Sequence, residues 1–564
     1  MSAKELTGTK ILMKVLKEEG VDTIFGYPGG AVIDIYDELA RTEFKHILAR
    51  HEQGAVHAAD GFARASGRTG VCFATSGPGA TNTVTGIATA YMDSIPMVII
   101  TGQVPTQLIG NDAFQEVDIV GITRPCTKHN YLVKDIESLE RILREAFFLA
   151  RSGRPGPVLV DIPKNIQVMK TKVNGPQDIN MRTYKPTYKP NVKQLSRVAG
   201  LIKKAKRPLI FSGGGVVLSG ASEALVQLAR STNTCVTSTL MGLGAFPGTD
   251  PLWLGMPGMH GTFRANMAIS QCDLMLAIGV RFDDRVTGRT DDFAPNATIV
   301  QIDIDPTSIH KNIEVEVPIV GDCKIALEKL NDLLEKEPEP ENAPDRSEWN
   351  HQVEAWKKTT PLAYDQKETI KPQYVIDTFF KMTKGEAIVT TEVGQNQMWA
   401  AQYYHFNRPH QFITSGGLGT MGFGLPAAIG AQMACPDKLV VDVAGDGSIQ
   451  MNIQEMATAV EHNLPIKIII LNNRYLGMVR QWQDLFYDKC YSATTLDHNP
   501  DFVKLADAYG AKGLRATRPE EVEAVLKEGL ETPGAVIMEF VVDREENVYP
   551  MVPAGKAITD MLLV

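Results

Sequence analysis

Residues 441–473 constrain the fold of this chain more than any other stretch; they read VDVAGDGSIQMNIQEMATAVEHNLPIKIIILNN. An apolar run ends in Gly445-Asp446-Gly447-Ser448, a helix is expected over about 452–462, and a second apolar run, 466–471, closes on Asn472-Asn473. Strand, glycine turn, helix and strand make a βαβ unit with parallel strands. Asp446 and Asn473 then fall at the carboxyl ends of those strands, the ligand edge of a parallel sheet. A carboxylate and an amide carbonyl are hard oxygen donors that suit Mg²⁺ sharing its shell with phosphate oxygens. Gly445 and Gly447 let the backbone approach a diphosphate, whose charge also favours a helix N-terminus. Alone, Gly-Asp-Gly reads equally as a tight turn capped by Asp. The paired asparagine, with 24 residues (448–471) between Gly447 and Asn472, favours the metal reading.

The GDGS…LNN pattern resembles the cofactor motif of the thiamin diphosphate (thiamine pyrophosphate, TPP) enzymes. That resemblance implies a metal held by Asp446, Asn473 and a backbone carbonyl near Tyr475, with Gly445, Gly447 and Ser448 at the diphosphate.

At 564 residues the chain has room for three or four domains of about 150 residues each. Its 44% hydrophobic and 22% charged residues are those of a globular protein, and a net charge of −9 argues against a nucleic-acid partner. The seven cysteines are scattered without a CxxC, so buried free thiols in a reducing cytoplasm are expected. MSAKELTGTK lacks the apolar segment of a signal peptide, and no run of about 18 apolar residues predicts a membrane span.

In the first third, Leu6, Ile11, Leu12, Val15 and Leu16 share one face of a helix expected over 6–20. Strand and glycine turn (VDTIFGYPGG), helix (32–40), strand (HILAR), helix (55–64), strand (VCFATSGPGA), helix (81–92) and strand (97–105) follow. This alternation predicts a doubly wound α/β domain. Glu52 stands where a strand hands over to the Ala-rich helix EQGAVHAADGFARA. By itself it reads as a carboxylate favouring the helix dipole. The resemblance of RHEQGA to the TPP enzymes implies more: contact with the aminopyrimidine ring, where a buried acid stabilises protonation at N1′ and favours the imino form that deprotonates the thiazolium. Gly29 and the turn SGPGATN (76–82) would lie against the cofactor by the same resemblance. His57 reads as a packed histidine, and Asp60 and Arg64 as surface or interdomain charges. The segment AFQE resembles the acetolactate synthases, which implies that Phe114 and Gln115 approach the active site; a surface loop is the alternative. Arg154 and Lys164 flank a strand expected at 157–162. They read either as solvated cations or, by the resemblance, as a flavin contact and the substrate entrance.

Residues 171–191 read as a proline-containing linker. The second α/β segment, from about 193, has glycine turns after several strands and arginines 281, 285 and 289, which suit a diphosphate-bearing ligand. No complete dinucleotide fingerprint is present. RFDDRVTG and GMHGT resemble the FAD-containing acetolactate synthases. FAD is then expected among Arg154, Gly213, Gly214, Gly215, Thr239, Leu240, Met259, His260, Gly279, Arg281, Arg285, Asp303 and Asp322.

Residues 336–371 start as an acidic, Pro-rich connector, and KPQYVIDTFFKM opens the third domain. The resemblance puts Val393 and Gly419 against the aminopyrimidine and Met421 under the bent cofactor. Met478, Val479 and Trp482 read as one apolar helical face; in acetolactate synthases such residues face cofactor and substrate. The tail from 543 reads either as a mobile lid or as a fixed segment.

The expected fold is α/β, three doubly wound parallel-sheet domains: pyrimidine-binding (1–175), central FAD-binding (190–340) and diphosphate-binding (365–564). The expected chemistry is decarboxylation of pyruvate on TPP with Mg²⁺, and condensation with a second pyruvate or 2-ketobutyrate. Glu52, Gln115 and Lys164 are the candidate catalytic residues. The expected assembly is a homodimer or homotetramer with a possible small regulatory subunit. An FAD-dependent pyruvate oxidase and a non-catalytic cofactor-binding homologue are the alternatives; the intact Glu52, Asp446 and Asn473 speak against the second.

Overall fold

The structure, a computed structural model, describes residues 5–173, 179–336 and 344–563. Three parallel sheets follow one another along the chain. The first has the order Lys45–Leu48, Thr23–Gly26, Gly70–Ala74, Met97–Gln103, Pro157–Pro163, His129–Leu132. The third has the order Phe412–Ile413, Ile388–Thr391, Val440–Gly445, Lys467–Asn472, Val536–Val541, Lys512–Ala516. Counted along their own stretches of chain, both run 2-1-3-4-6-5. The five-stranded middle sheet runs Cys235–Ser238, Pro208–Ser212, Leu274–Ile278, Thr298–Asp303, Val317–Val320. Central strands such as Met97–Gln103, Leu274–Ile278 and Lys467–Asn472 are buried throughout, as parallel strands covered by helices on both faces must be.

Strand order reverses between the first and third strand of each sheet, and crevices open at the carboxyl ends there. Val393 and Asp446 follow the two strands at that point in the third sheet, Gly213 and Gly279 in the second, Gly29 and Thr75 in the first.

The first and third sheets meet at the helix pair Glu52–Ser66 and Gly424–Ala434. A Cβ at Gly61 would stand 2.2 Å from the Ala427 carbonyl oxygen, and one at Gly430 1.8 Å from that of Ala58. The two backbones therefore touch, and alanines fill the rest of the seam.

Several expected elements differ. The first helix is Gly8–Glu18, because Leu6 belongs to a short strand, Glu5–Thr7, paired antiparallel with Lys170–Lys172. That pairing takes the start of the 171–191 linker; residues 174–178 of it lie outside the described residues. The helix expected at 81–92 is two, Pro78–Asn82 and Val84–Asp93. Past the undescribed 337–343, the connector forms helix Ser347–Thr359, which sinks Trp349, Val353 and Trp356 into the core of the middle sheet. The tail from 543 is docked: Arg480 Nη2 donates to the Glu545 carbonyl (2.6 Å), Gln481 Nε2 to that of Val548 (3.0 Å), and the Val552 N–H to that of Met259 (2.8 Å). Of the seven cysteines, four are buried, Cys126 and Cys435 are half-buried, and Cys490 is exposed, against the expectation of burial. No helix among the described residues is long and apolar enough to cross a membrane.

Candidate active site

Strand Val440–Gly445 lies inside the third sheet and delivers Asp446 at its carboxyl end, 1% exposed. Asn499 Nδ2 donates to Asp446 Oδ2 at 2.6 Å, and Oδ1 has no hydrogen-bond partner. Burial pushes this carboxyl up to about 6, so its charged form is short of a counter-charge. Beside it, Asn473 Oδ1 accepts the Tyr475 N–H (3.0 Å) and its Nδ2 donates to Gln395 Oε1 (3.1 Å). One unpartnered carboxylate oxygen, an amide and the nearby Tyr475 carbonyl suit a hard cation that keeps further ligands from a phosphate. Among the described residues no cluster of three His, Cys, Asp or Glu side chains offers a rival metal site. The turn is tight for a packing reason: a Cβ on Gly447 would meet Leu476 (2.8 Å) and Leu496 (3.0 Å). Ser448 Oγ closes it on the Gly445 carbonyl at 3.2 Å.

A cavity of about 600 Å³ runs from Val393 and Gly394, past the end of strand Ile388–Thr391, to the middle sheet; Asp446 and Asn473 are not part of its lining. Val393, Gly419, Met421, Met478, Val479 and Trp482 form one wall. Helix Gly477–Phe486 is inverted relative to an ordinary surface helix: it buries Arg480 and Gln481, and it turns Met478, Val479 and Trp482 to the cavity. Their apolar face therefore lines the cavity, with Met478 also packed on the core. The other wall has Arg154, Gly214, Gly215, Thr239, Leu240, Met259, His260, Gly279, Arg281, Arg285, Asp303 and Asp322. Gly213 lies behind it, its missing Cβ replaced by the Gly279 carbonyl at 2.2 Å. Arg154 donates to Ser94 Oγ (2.8 Å) and pairs with Asp305 (3.1 Å), bridging the first and second sheets. Burial pushes Asp303 up to about 6 and His260 down to about 4. Arginines over glycine turns match a diphosphate, and a cavity of this size accommodates a cofactor.

The remaining predicted residues form a separate cluster. Glu52, 8% exposed, accepts from Asn82 Nδ2 (2.9 Å) at Oε2, and none of its own helix N–H groups reaches it. The entry turn is served by Glu455, which accepts the N–H groups of Arg50 (2.9 Å) and His51 (3.1 Å). Glu52 is thus free of the capping duty that its position suggests. Gly79 opens the space beside it, since a Cβ there would stand 3.1 Å from Glu52 Oε1. Gly29 packs on Thr75, and Gly77 on the backbone of Gln115. Lys164 Nζ donates to the Gly30 carbonyl (2.7 Å), so it is not simply solvated. Phe114 is 89% exposed. None of Gly29, Glu52, Phe114, Gln115 and Lys164 lines the cavity.

Comparison with known proteins agrees with this geometry. "Thiamine pyrophosphate enzyme, N-terminal TPP binding domain" matches residues 6–122, "central domain" 195–330 and "C-terminal TPP binding domain" 392–540. The chain is 50% identical over 565 residues to the acetolactate synthase isozyme 3 large subunit of Escherichia coli (strain K12), covering 99% of this chain and 98% of that protein. It belongs to the acetolactate synthase large subunits, within the TPP enzymes. The acetolactate synthase large subunit of Haemophilus influenzae is 48% identical over the same shares of both chains. A plant relative, acetolactate synthase 1, chloroplastic, of Oryza sativa subsp. japonica, is 50% identical, covering 100% of this chain and 88% of its own.

Within that family frame, some site residues had no local signal. Asn499 reaches Asp446 from 53 residues away and Gln395 reaches Asn473 from 78. His57 is packed as expected, edge-on to Phe423 at 5.3 Å, with burial pushing it down to about 3. Asp60 and Arg64 are buried, and Arg64 crosses to the third sheet's domain at the Thr414 carbonyl.

Proposed function

We infer that this chain forms 2-acetolactate from two molecules of pyruvate, or 2-aceto-2-hydroxybutyrate when 2-ketobutyrate is the acceptor, with TPP, Mg²⁺ and FAD. The observation that carries this reading is buried Asp446 with its unpartnered Oδ1, beside Asn473 at the carboxyl edge of the third sheet. Asp446, Asn473 and the Tyr475 carbonyl would hold the metal, with Gly445, Gly447 and Ser448 against the diphosphate. Bound TPP supplies an electron sink for the pair released as CO₂ leaves pyruvate. Glu52 would hold a proton at the aminopyrimidine. Met421, Val479 and Trp482 give the acceptor a water-poor surface. Gln115 and Lys164 would bind and orient the keto acid's carboxylate from the first sheet.

The reaction gains and loses no electrons overall. FAD, held by the arginine and glycine wall, is therefore a structural group in this reading. Residues 1–175, 190–340 and 365–564 correspond to the pyrimidine, flavin and diphosphate ends. Relatives named large subunits point to a smaller regulatory partner, and seven free cysteines suit a reducing cytoplasm. The purified chain with pyruvate, TPP and Mg²⁺ should yield acetolactate while its copurified flavin stays oxidised. Stoichiometric anaerobic bleaching of the flavin at the rate of turnover would instead make it a pyruvate oxidase.

Glu52 belongs to the first sheet and Asp446 to the third, two sheets of the same strand order, and neither residue lines the cavity; this placement supports a site shared between two copies of the chain, packed as a symmetric pair. Chains with Glu52→Gln and chains with Asp446→Ala should each be nearly inactive alone. Mixed, they should regain about a quarter of wild-type activity, because random pairing makes half the dimers mixed and each of those has one intact site of two. No recovery, with mixed dimers shown to form, would mean that each site is built within one chain.

A further inference from the structure

The loop 415–425 carries Gly419 and Met421 into the cavity. It is gripped from both sides by buried carboxylates. On the third-sheet side, Glu392 accepts the N–H groups of Gly422 (2.6 Å) and Leu425 (3.2 Å). On the other side the grip comes from the first sheet. Asp93, the last residue of helix Val84–Asp93, accepts the Gly417 N–H at Oδ1 (2.7 Å) and the Gly416 N–H at Oδ2 (3.1 Å). Thr89, one turn earlier, shares a hydrogen bond with Thr420 at 2.7 Å.

Asp93 is itself fixed. Arg64 Nη2 donates to Asp93 Oδ2 (2.8 Å), Nη1 to the Thr414 carbonyl (2.9 Å), and Nε to Asp60. The side chains of Asp60 and Asp93 have no exposure and that of Arg64 has 6%. One guanidinium serves two buried carboxylates, and the loop N–H groups of Gly416 and Gly417 complete the hydrogen bonding of Asp93. The loop has the residues for so close an approach: a Cβ on Gly417 would stand 2.8 Å from Asp93 Oδ1, and one on Gly416 2.3 Å from Met241 Sδ.

We propose that Asp93, locked by Arg64 and Asp60, is a positioning residue for the loop of its own chain, so that each first-sheet domain serves two active sites. Through Glu52 it completes the site on a second copy's third sheet, and through Asp93 it sets the loop of the site on its own. This rests on the shared-site reading above. Asp93 stands in the cavity wall beside Met92 and Ser94, but its side chain has no exposed surface, so its effect passes through the loop.

The test uses the FAD-, Mg²⁺- and TPP-loaded enzyme. Asp93→Asn keeps the size but turns one acceptor into a donor, facing either Gly417 or both Gly416 and Arg64. It should lower kcat about 10–100-fold, the scale of a misplaced reacting group, with little change in KM for pyruvate. Mixed with Glu52→Gln chains it should regain about a quarter of wild-type activity, since one site then has an intact Glu52 and an intact loop. Mixed with Asp446→Ala chains it should regain none, because both defects sit on third-sheet halves. Gly417→Ala, a loop-side change that leaves the charges alone, should fall into the same group as Asp93→Asn. Recovery with Asp446→Ala but not Glu52→Gln would mean that Asp93 acts on its own first-sheet face. Recovery with neither, or a kcat left unchanged, would overturn the proposal. If the Glu52→Gln and Asp446→Ala reference pair fails to recover, the two-site clause falls with the shared site. The kcat of Asp93→Asn at an unchanged melting temperature then decides the loop contact by itself.

Discussion

Glu52→Gln should lower kcat by about 10²–10⁴-fold and leave TPP bound. Glutamine has the shape of the side chain it replaces and still offers Asn82 Nδ2 an oxygen, so the bond seen at 2.9 Å survives. The turn before the helix is held by Glu455 and His51, not by Glu52, so the helix start should stay in place. What the amide lacks is a proton that can be held and released at the aminopyrimidine. Turnover with pyruvate and the TPP retained after desalting measure the two halves of this statement. Near-wild-type turnover would remove Glu52 from the chemistry; loss of TPP would make it a binding residue first.

Gly430→Ala should unfold much of the molecule without touching the cavity. Its Cβ would lie 1.8 Å from the Ala58 carbonyl oxygen and 2.7 Å from the Phe62 nitrogen, both backbone atoms. Neither can rotate away, so helices Glu52–Ser66 and Gly424–Ala434 must separate along a seam lined by Ala55, Ala59, Ala428 and Ala431. Overpacking in a core costs about 1–3 kcal/mol where side chains can yield; a loss above about 3 kcal/mol is expected where only backbone can. Gly200→Ala is the matched control. That glycine lies inside helix Val192–Lys204 with nothing within 4 Å of its Cβ position. Filling it should stabilise the chain by up to about 1 kcal/mol. Urea or thermal unfolding compares the two. An unfolding midpoint for Gly430→Ala equal to that of wild type would mean that the helices do not meet backbone to backbone.

Legibility in the sequence followed distance along the chain. The GDGS turn, the strand before it and Asn473 were readable because one βαβ unit contains them all, and its periodicity is set by neighbouring residues. Helix Ser347–Thr359 was passed over inside a charged connector. Yet Trp349, Val353 and Trp356, its buried residues, stand at helical spacing, so the signal was present but outweighed by composition. Leu6 matched the apolar face of the first helix and joined a strand instead, since its partner, Thr171, lies far along the chain. Helix Gly477–Phe486 showed the limit of pattern reading. Its apolar residues are those of any amphipathic helix, and only the burial of Arg480 and Gln481 reveals that the apolar side faces a cavity.

The sequence by itself determined which strands end in chemistry-bearing residues, because strand, turn and helix follow from local pattern and glycine placement. It also determined the α/β class, through the repeated alternation of those elements. The tertiary structure decided which of those residues share a space. Asp446 and Asn473 stay together because adjacent parallel strands carry them. Met421 of the third sheet shares a cavity with Arg281 and Arg285 of the middle one, and Glu52 does not line it; the Gly61 and Gly430 crossing fixes how the first sheet packs on the third. Asp93 reaches Gly416 and Gly417 across 323 and 324 residues for the same reason. A contact of that kind has no period and no motif; it exists only once two sheets, each folded by local rules, are pressed together.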